Sequence, residues 1–341
     1  MAEKITRRER VKATVARKPC DGVPSAYDLT NEITKQLLEH YKIELPQLSD
    51  TICEHLHYLH THYTREPLSG GKYRDEFGTT WEWKDEMAVS MGDVGRLYEP
   101  ALLEPSLAGY KFPDGSISRF NSADVAEMAQ SDRFTVLGLS GLFDVCWHLR
   151  GFENFLEDMA CEPEFVHELM DMATDHLISV INHAPKGFDS IRILEDWGLQ
   201  KGMIMGPALW RKYLRPRLKE IYSAARAKGL TVMIHSCGDI QEIMPDLVDI
   251  GVQIVHPVQP EVMNLSLIKQ EYGRDLIFYG GMGCQSTLVY GTPEDTIREA
   301  KQRVEILGEG GGYILGPAGA IPADAKIENV VALIEYAKSL C

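Results

Sequence analysis

Short apolar, β-branched runs alternate with amphipathic stretches along most of this chain. The clearest run is Thr231-Val232-Met233-Ile234, which leads into His235-Ser236-Cys237-Gly238. A run of this length closed by glycine reads as a short buried strand. Similar runs are Phe134-Thr135-Val136-Leu137-Gly138-Leu139, Ser190-Ile191-Arg192-Ile193-Leu194-Glu195-Asp196, Val252-Gln253-Ile254-Val255-His256, Leu276-Ile277-Phe278-Tyr279-Gly280-Gly281 and Gly312-Tyr313-Ile314-Leu315. Helical periodicity falls between them, at 121–130, 143–159, 163–182, 207–228, 240–249, 264–271, 293–307 and 327–339. Gly229 suits the C-cap of the 207–228 helix. Upstream, the pattern predicts a helix over 4–17, a first short strand over 23–28, and a helix over 31–41 capped by Thr30 or Asn31.

Strands alternating with helices predict a parallel sheet covered by helices. At least six such repeats in about 220 residues favour an α/β fold of the closed kind, a distorted (β/α)8 TIM barrel, over an open sheet. The whole of 1–341 reads as one barrel domain. Two regions depart from the repeat. Gly70-Gly71, Tyr73 to Gly78 and Thr79-Thr80-Trp81-Glu82-Trp83-Lys84 resemble hairpins, so residues 70–120 are expected to be a β-rich insertion over one end of the core. Residues 51–63 hold His55, His57, His60 and His62 at a spacing that suits no single helical face. A polar helix or loop near a pocket mouth is expected there, with a second metal site as the alternative.

Composition narrows the function. With 44% apolar and 25% charged residues, the chain has an ordinary globular balance. The net charge of −15 argues against nucleic acid as a partner, which would require a basic face. No apolar run reaches the roughly 18 residues that span a bilayer, and the N-terminus is charged without an apolar signal core. A cytoplasmic protein is expected, with self-association into a homodimer left open. Seven scattered cysteines do not suggest a disulfide framework. Neither a GxGxxG after the first strand nor a GxxxxGK[ST] loop is present.

The chemistry concentrates at strand ends. Residues i and i+2 of a strand point the same way, so His235 and Cys237 can face one point. An imidazole and a thiolate aimed together suit zinc. In a barrel, catalytic groups sit at the C-terminal ends of the strands. That rule brings Cys284, from Gly280-Gly281-Met282-Gly283-Cys284, and Glu195 or Asp196 toward the same mouth. The expected metal set is His235, Cys237, Cys284 and Glu195. Cys20, Cys53, Cys146, Cys161 and Cys341 are expected to be structural or superficial.

Several stretches resemble the uroporphyrinogen decarboxylase superfamily. They are Leu194-Glu195-Asp196-Trp197-Gly198-Leu199-Gln200, His235-Ser236-Cys237-Gly238-Asp239-Ile240, residues 251–260, Tyr279-Gly280-Gly281-Met282-Gly283, Tyr290-Gly291-Thr292-Pro293-Glu294 and residues 310–317. The resemblance implies a distorted (β/α)8 barrel. The branch that decarboxylates tetrapyrroles carries an N-terminal Arg-Gln-Ala-Gly-Arg-Tyr signature, where this chain has Lys18-Pro19-Cys20-Asp21-Gly22-Val23-Pro24. The other branch, zinc methyltransferases that work with a corrinoid protein, carries His-x-Cys as at His235 and Cys237. Its members that methylate coenzyme M take a third ligand from a late cysteine. The matching region here, Gly316-Pro317-Ala318-Gly319-Ala320-Ile321, has none, so Cys284 is the natural replacement.

The resemblance therefore implies an enzyme that moves a methyl group from a methoxylated aromatic to the cob(I)alamin of a corrinoid protein, an O-demethylation. The alternatives are a decarboxylase, a methylcorrinoid:thiol methyltransferase, or a non-catalytic corrinoid-binding scaffold. Zinc would act as a Lewis acid on the ether oxygen. Glu195 is a ligand in the favoured reading and otherwise a general acid for the leaving phenolate. Asp196 is a further catalytic candidate that orients Trp197 or His235. An aryl donor needs apolar and aromatic walls. Tyr27, Phe143, Trp147, His148 and Trp197 are the candidates, with Phe152 behind them. His256 is expected to be a pocket wall.

Overall fold

The computed structural model of the chain describes residues 5–82, 95–117 and 119–341. In chain order its strands are β1 (Leu56–His60), β2 (Arg65–Pro67), β3 (Lys72–Asp75), β4 (Thr80–Glu82), β5 (Arg96–Glu99), β6 (Phe134–Ser140), β7 (Ser190–Leu194), β8 (Gly198–Leu199), β9 (Gly202–Met203), β10 (Thr231–His235), β11 (Ile254–Val258), β12 (Ile277–Met282) and β13 (Tyr313–Pro317). Seven of them form one parallel sheet in the order β1–β6–β7–β10–β11–β12–β13. Residues 24–29 occupy the gap between its two edges. Ala26 N–H donates to Leu315 O of β13, and His55 N–H, just before β1, donates to Ser25 O. The sheet therefore curls into the distorted barrel, with an eighth position held by isolated bridges, Ser25 to Leu315 and Leu29 to Ile321, in place of a full ladder.

The two faces of each strand explain the barrel. In a two-sided sheet, alternate residues face the lumen and the covering helices. One buried cluster fills the lumen: Ala26, Leu56, Phe134, Val136, Met233, Ile254, Ile277, Tyr279 and Ile314, with Val11 of the first helix at its N-terminal end. Their neighbours on the same strands, such as Leu137, Ile191, Val232, Ile234, Val255, Phe278 and Leu315, belong to the larger outer core under the helices.

Some expectations change. Residues 51–63 are not a polar helix or loop: a short helix Leu48–Thr51 is followed by β1, a full partner of β6. Both faces of this strand are covered, so its histidines hide the alternation that would betray a strand. The helix expected over 143–159 is two helices, Leu142–Arg150 and Phe152–Cys161, because Gly151 turns into the left-handed region at φ 88°. The helix over 207–228 carries a wide π-type turn, Trp210–Leu214, before Arg215–Ala227. The β-rich insertion is an antiparallel sheet, β2–β3–β4–β5, that begins at Arg65. Trp83 and Lys84, expected in one of its hairpins, lie outside the described residues. Among the described residues no helix is long and apolar enough to cross a membrane.

Met233 lies in the lumen cluster two residues before His235. Met233→Ala should leave a cavity and cost about 2–5 kcal/mol of stability. Denaturant unfolding would show this as a lowered midpoint at unchanged slope.

Candidate metal centre

Three strands aim polar side chains into the upper lumen. Register pairs His235 of β10 directly with His256 of β11, and the two rings are joined Nδ1 to Nδ1 at 2.9 Å. Arg192, from the middle of β7, projects into the same space. Its guanidinium grips Asp28 of the 24–29 segment through both carboxylate oxygens, at 2.9 and 3.3 Å, and lies 2.9 Å from His235 Nδ1. His256 Nε2 faces Asp28 at 3.7 Å, and its ring packs 4.1 Å from that of Tyr279. Arg192 also lies over the Tyr58 ring at 4.9 Å. Burial alone would raise the Asp28 carboxyl, but Arg192 beside it holds it well below the usual carboxylate range. Burial, then Arg192, pushes the His235 imidazole down to about 4.

The mouth of the lumen holds the second half of the site. Cys237 Sγ lies 3.7 Å from His235 Nε2, and Asp196 Oδ1 lies 3.8 Å from the same nitrogen. Asp196 also accepts from Cys237 N–H at 2.8 Å, which fixes the loop after β10. Ligand atoms about 2.0–2.3 Å from a tetrahedral zinc stand roughly 3.3–3.8 Å apart. His235 Nε2 stands at that separation from both Cys237 and Asp196, and the oxygen, nitrogen and sulfur donors all lie within 4.8 Å of one another. Asp28, His235 and His256 form an adjoining trio, also within 4.8 Å of one another. Arg192 can only donate, so His235 Nδ1 accepts from it, and the neutral ring carries its proton on Nε2, facing Cys237 and Asp196, where a metal would displace it. Burial, then Asp196, pushes the Cys237 thiol up to about 12. Only a nearby positive charge would make it a thiolate at neutral pH, which a metal ion supplies.

The loop geometry depends on two glycines. Gly238 sits at φ 79°, and a Cβ there would meet the Gly198 backbone at 2.3 Å. A Cβ on Gly198 would in turn meet Cys237 O at 2.5 Å. The strand-end loops of β7 and β10 therefore pack backbone to backbone.

The structure divides the expected site residues. His235, Cys237, Asp196 and His256 come together. Cys284 is buried and directs its thiol at Gly319 O, 3.8 Å away, outside both trios. It thus lies beside the strand end where the late cysteine is missing. Glu195 also stands outside both trios. It alternates with Asp196 and so faces the helices, where it accepts from Phe143 N–H and the Trp197 indole, each at 2.9 Å. Burial raises its carboxyl to about 7. Tyr27, Phe143 and Trp197 also lie in the outer core, Phe143 on the helix Leu142–Arg150 and Trp197 in the loop after β7. Phe143 packs on Phe152 and Phe155, and Trp197 on Trp210. Trp147 donates to Asp144 and packs on Phe152, and His148 meets Trp81 of the insertion edge to face. These rings join helix to helix and helix to insertion. A cleft of about 550 Å³ lies away from the metal trio, with polar walls that include Gln285, Tyr290, Asp295, Arg298 and Arg303.

Arg192 is the residue that sequence reasoning passed over. Its signal was available: a lone arginine inside the apolar run Ser190–Leu194 is costly to bury without a partner. Tyr58 and Tyr279, whose hydroxyls are buried without a hydrogen-bond partner, were also passed over.

Comparison with known proteins adds family and fold. Residues 125–340 match the family model described as Uroporphyrinogen decarboxylase (URO-D). A methylated-thiol–coenzyme M methyltransferase of Methanosarcina mazei is 22% identical over 200 residues, 59% of this chain and 52% of that protein. The chain therefore spans about half the length of this curated relative. A solved methyltransferase structure from Methanosarcina mazei superimposes with a TM-score of 0.71 at 18% identity, covering 98% of this chain and 99% of that one. That likeness is one of fold.

Two outcomes follow from this geometry. Gly238→Ala combines a left-handed backbone with a backbone clash, so it should cost about 2 kcal/mol or more and displace Cys237; thermal unfolding and the alkylation rate of Cys237 read both effects. Glu195 binds its proton more tightly folded than unfolded, so its contribution to stability is complete below the usual carboxylate range and is lost as pH rises through about 7. Glu195→Gln keeps an acceptor for its two donors and should gain on the native chain between about pH 5 and 8. Denaturant midpoints at the two pH values test this, and a flat difference would mean that Glu195 is solvated.

Proposed function

The chain belongs to the uroporphyrinogen decarboxylase family, and from that membership we propose that it is a zinc-dependent methyltransferase. In this reading it takes a methyl group from a methoxylated aromatic and delivers it to the cob(I)alamin of a corrinoid protein. The observation that carries the reading is the Asp196–His235–Cys237 trio at the barrel mouth. The similarity to a methyltransferase acting on methylated thiols supports the reaction type.

His235 Nε2, Cys237 Sγ and an Asp196 oxygen would hold the zinc, with Cys284 as the candidate for a further sulfur. Bound there, zinc supplies a Lewis acid that neutralises charge developing on the ether oxygen. The chain's own residues do the rest. Arg192 and His256 position the His235 ring at its Nδ1, and Asp28 faces both of them. Arg192 keeps Asp28 ionised. Asp196 fixes Cys237 through its backbone N–H. Glu195, bonded to the Trp197 indole and Phe143 N–H, sets the strand end from which Asp196 projects. A methyl carbon then needs only alignment between donor and acceptor, which is an entropic contribution.

A second reading, transfer from a methylated thiol, is favoured by the activity in the Methanosarcina relative's name. The donor set bears on the choice. A carboxylate oxygen in place of a sulfur is a harder ligand, and it suits a metal that must polarise an oxygen.

Metal analysis should find about one zinc per chain, falling sharply in Cys237→Ala and in Asp196→Ala. Full retention in Cys284→Ala would leave the site without its second sulfur; loss would add Cys284 to it. Incubation with cob(I)alamin and a methoxybenzoate should release the phenol and form methylcobalamin. Methyl transfer from dimethyl sulfide without release of phenol from any methoxylated aromatic would replace the first reading with the second.

A further inference from the structure

We propose that Cys53 and Cys341 are a redox pair, a dithiol that closes to a disulfide and fastens the seam of the barrel on the face opposite the metal centre. The Sγ atoms of Cys53 and Cys341 and a ring nitrogen of His55 lie within 4.8 Å of one another. Cys53 precedes β1, and Cys341 follows the last helix, Ile327–Lys338, so both stand at the N-terminal end of the barrel. Cys341 Sγ is 3.8 Å from His55 Nε2 and 3.5 Å from Val23 O.

Two thiols and an imidazole could also hold a metal, but the surroundings oppose it. Arg10, itself buried and paired with Asp21 through two hydrogen bonds, places Nη1 2.9 Å from His55 Nε2. His55 Nδ1 lies 3.1 Å from Ser25 O, so the ring donates there and accepts from Arg10 at Nε2. The lone pair that a metal would need is therefore engaged. A guanidinium at that distance repels a cation, and it opposes the rise that the Cys53 hydrogen bond and burial impose on the Cys341 thiol.

The step is thiol–disulfide exchange with a low-mass disulfide such as oxidised glutathione. One thiolate of the pair attacks a glutathione sulfur, the S–S bond breaks, and one glutathione leaves as a thiol. The second thiolate attacks the resulting mixed disulfide and expels the other glutathione. Two electrons pass from the cysteines to the oxidant, and the two cysteine protons end on the two released thiols.

The link would fall where the barrel is least bonded. The 24–29 segment is held to β13 by isolated bridges and to the start of β1 by the His55 N–H to Ser25 O bond. Cys341 touches Val23 at the edge of that segment, and Cys53 lies two residues before His55. Closing the pair ties the last helix to the first strand across the seam that also carries Asp28.

The test uses the full chain, first reduced and then equilibrated with oxidised glutathione, followed by non-reducing peptide mass spectrometry and amide exchange. The expected product is a Cys53–Cys341 peptide about 2 Da lighter than the two thiols and roughly tenfold more abundant than any other cysteine pair. Exchange at the Ala26 and Leu315 amides should slow on oxidation. Cys341→Ser should remove both effects, and Cys161→Ser should leave them. Persistent alkylation of both thiols, or separate glutathione adducts on each, would overturn the proposal. So would binding of zinc alone that Cys341→Ser abolishes and Cys237→Ala spares, since it would make the cluster a metal site.

Discussion

The buried Arg192–Asp28 pair is the interaction on which the centre of this molecule depends. An arginine in the lumen of a barrel is tolerable only when its charge is met. Asp28 meets it with two hydrogen bonds from the loosely bridged 24–29 segment, so the pair draws that segment into the barrel. The same guanidinium reaches His235, and Asp28 faces His256. Removing either partner would strand a charge beside both histidines, and it would free the seam as well as disturb the site.

The electrostatics of the upper lumen have a consistent direction. Asp28 is ionised and Arg192 offsets it, while His235 is held neutral by burial. The thiol of Cys237 is held protonated by burial and by Asp196. A neutral imidazole and a protonated thiol are a poor end state for groups this close, but they are the precursors of a ligand set. A divalent cation reverses the thiol's preference and accepts the imidazole lone pair. The groups of the upper lumen and its mouth are thus better satisfied with a metal than without it. At the other end of the barrel, Arg10 already occupies the corresponding nitrogen of His55.

Most of the architecture was legible in the sequence because its signals are local. Apolar runs gave β6, β7, β10, β11, β12 and β13 within two residues. The glycine after His235-Ser236-Cys237 marked a strand end, and the barrel rule placed chemistry there. β1 was missed for a physical reason. A strand covered on both faces needs no alternation, and one rich in histidine lacks the apolar content that would otherwise mark it. Gly151 divided a helix that periodicity alone would have continued.

The sequence by itself placed His235 and Cys237 on one side through the strand period of two, which Cys237, just past the end of β10, keeps because Asp196 holds its backbone N–H. It also determined that the nearby carboxylates end the neighbouring strand. Only the tertiary structure decided which of the two faces the mouth. Asp196 and Glu195 are adjacent and chemically alike, yet alternation sends one to the lumen and the other under the helices. The same parity brought Arg192 and His256 into the lumen, while Phe143 went under the helices with the helix that carries it. Parity relative to the barrel axis is set by how each strand pairs with its neighbours, and no single stretch of sequence contains that information.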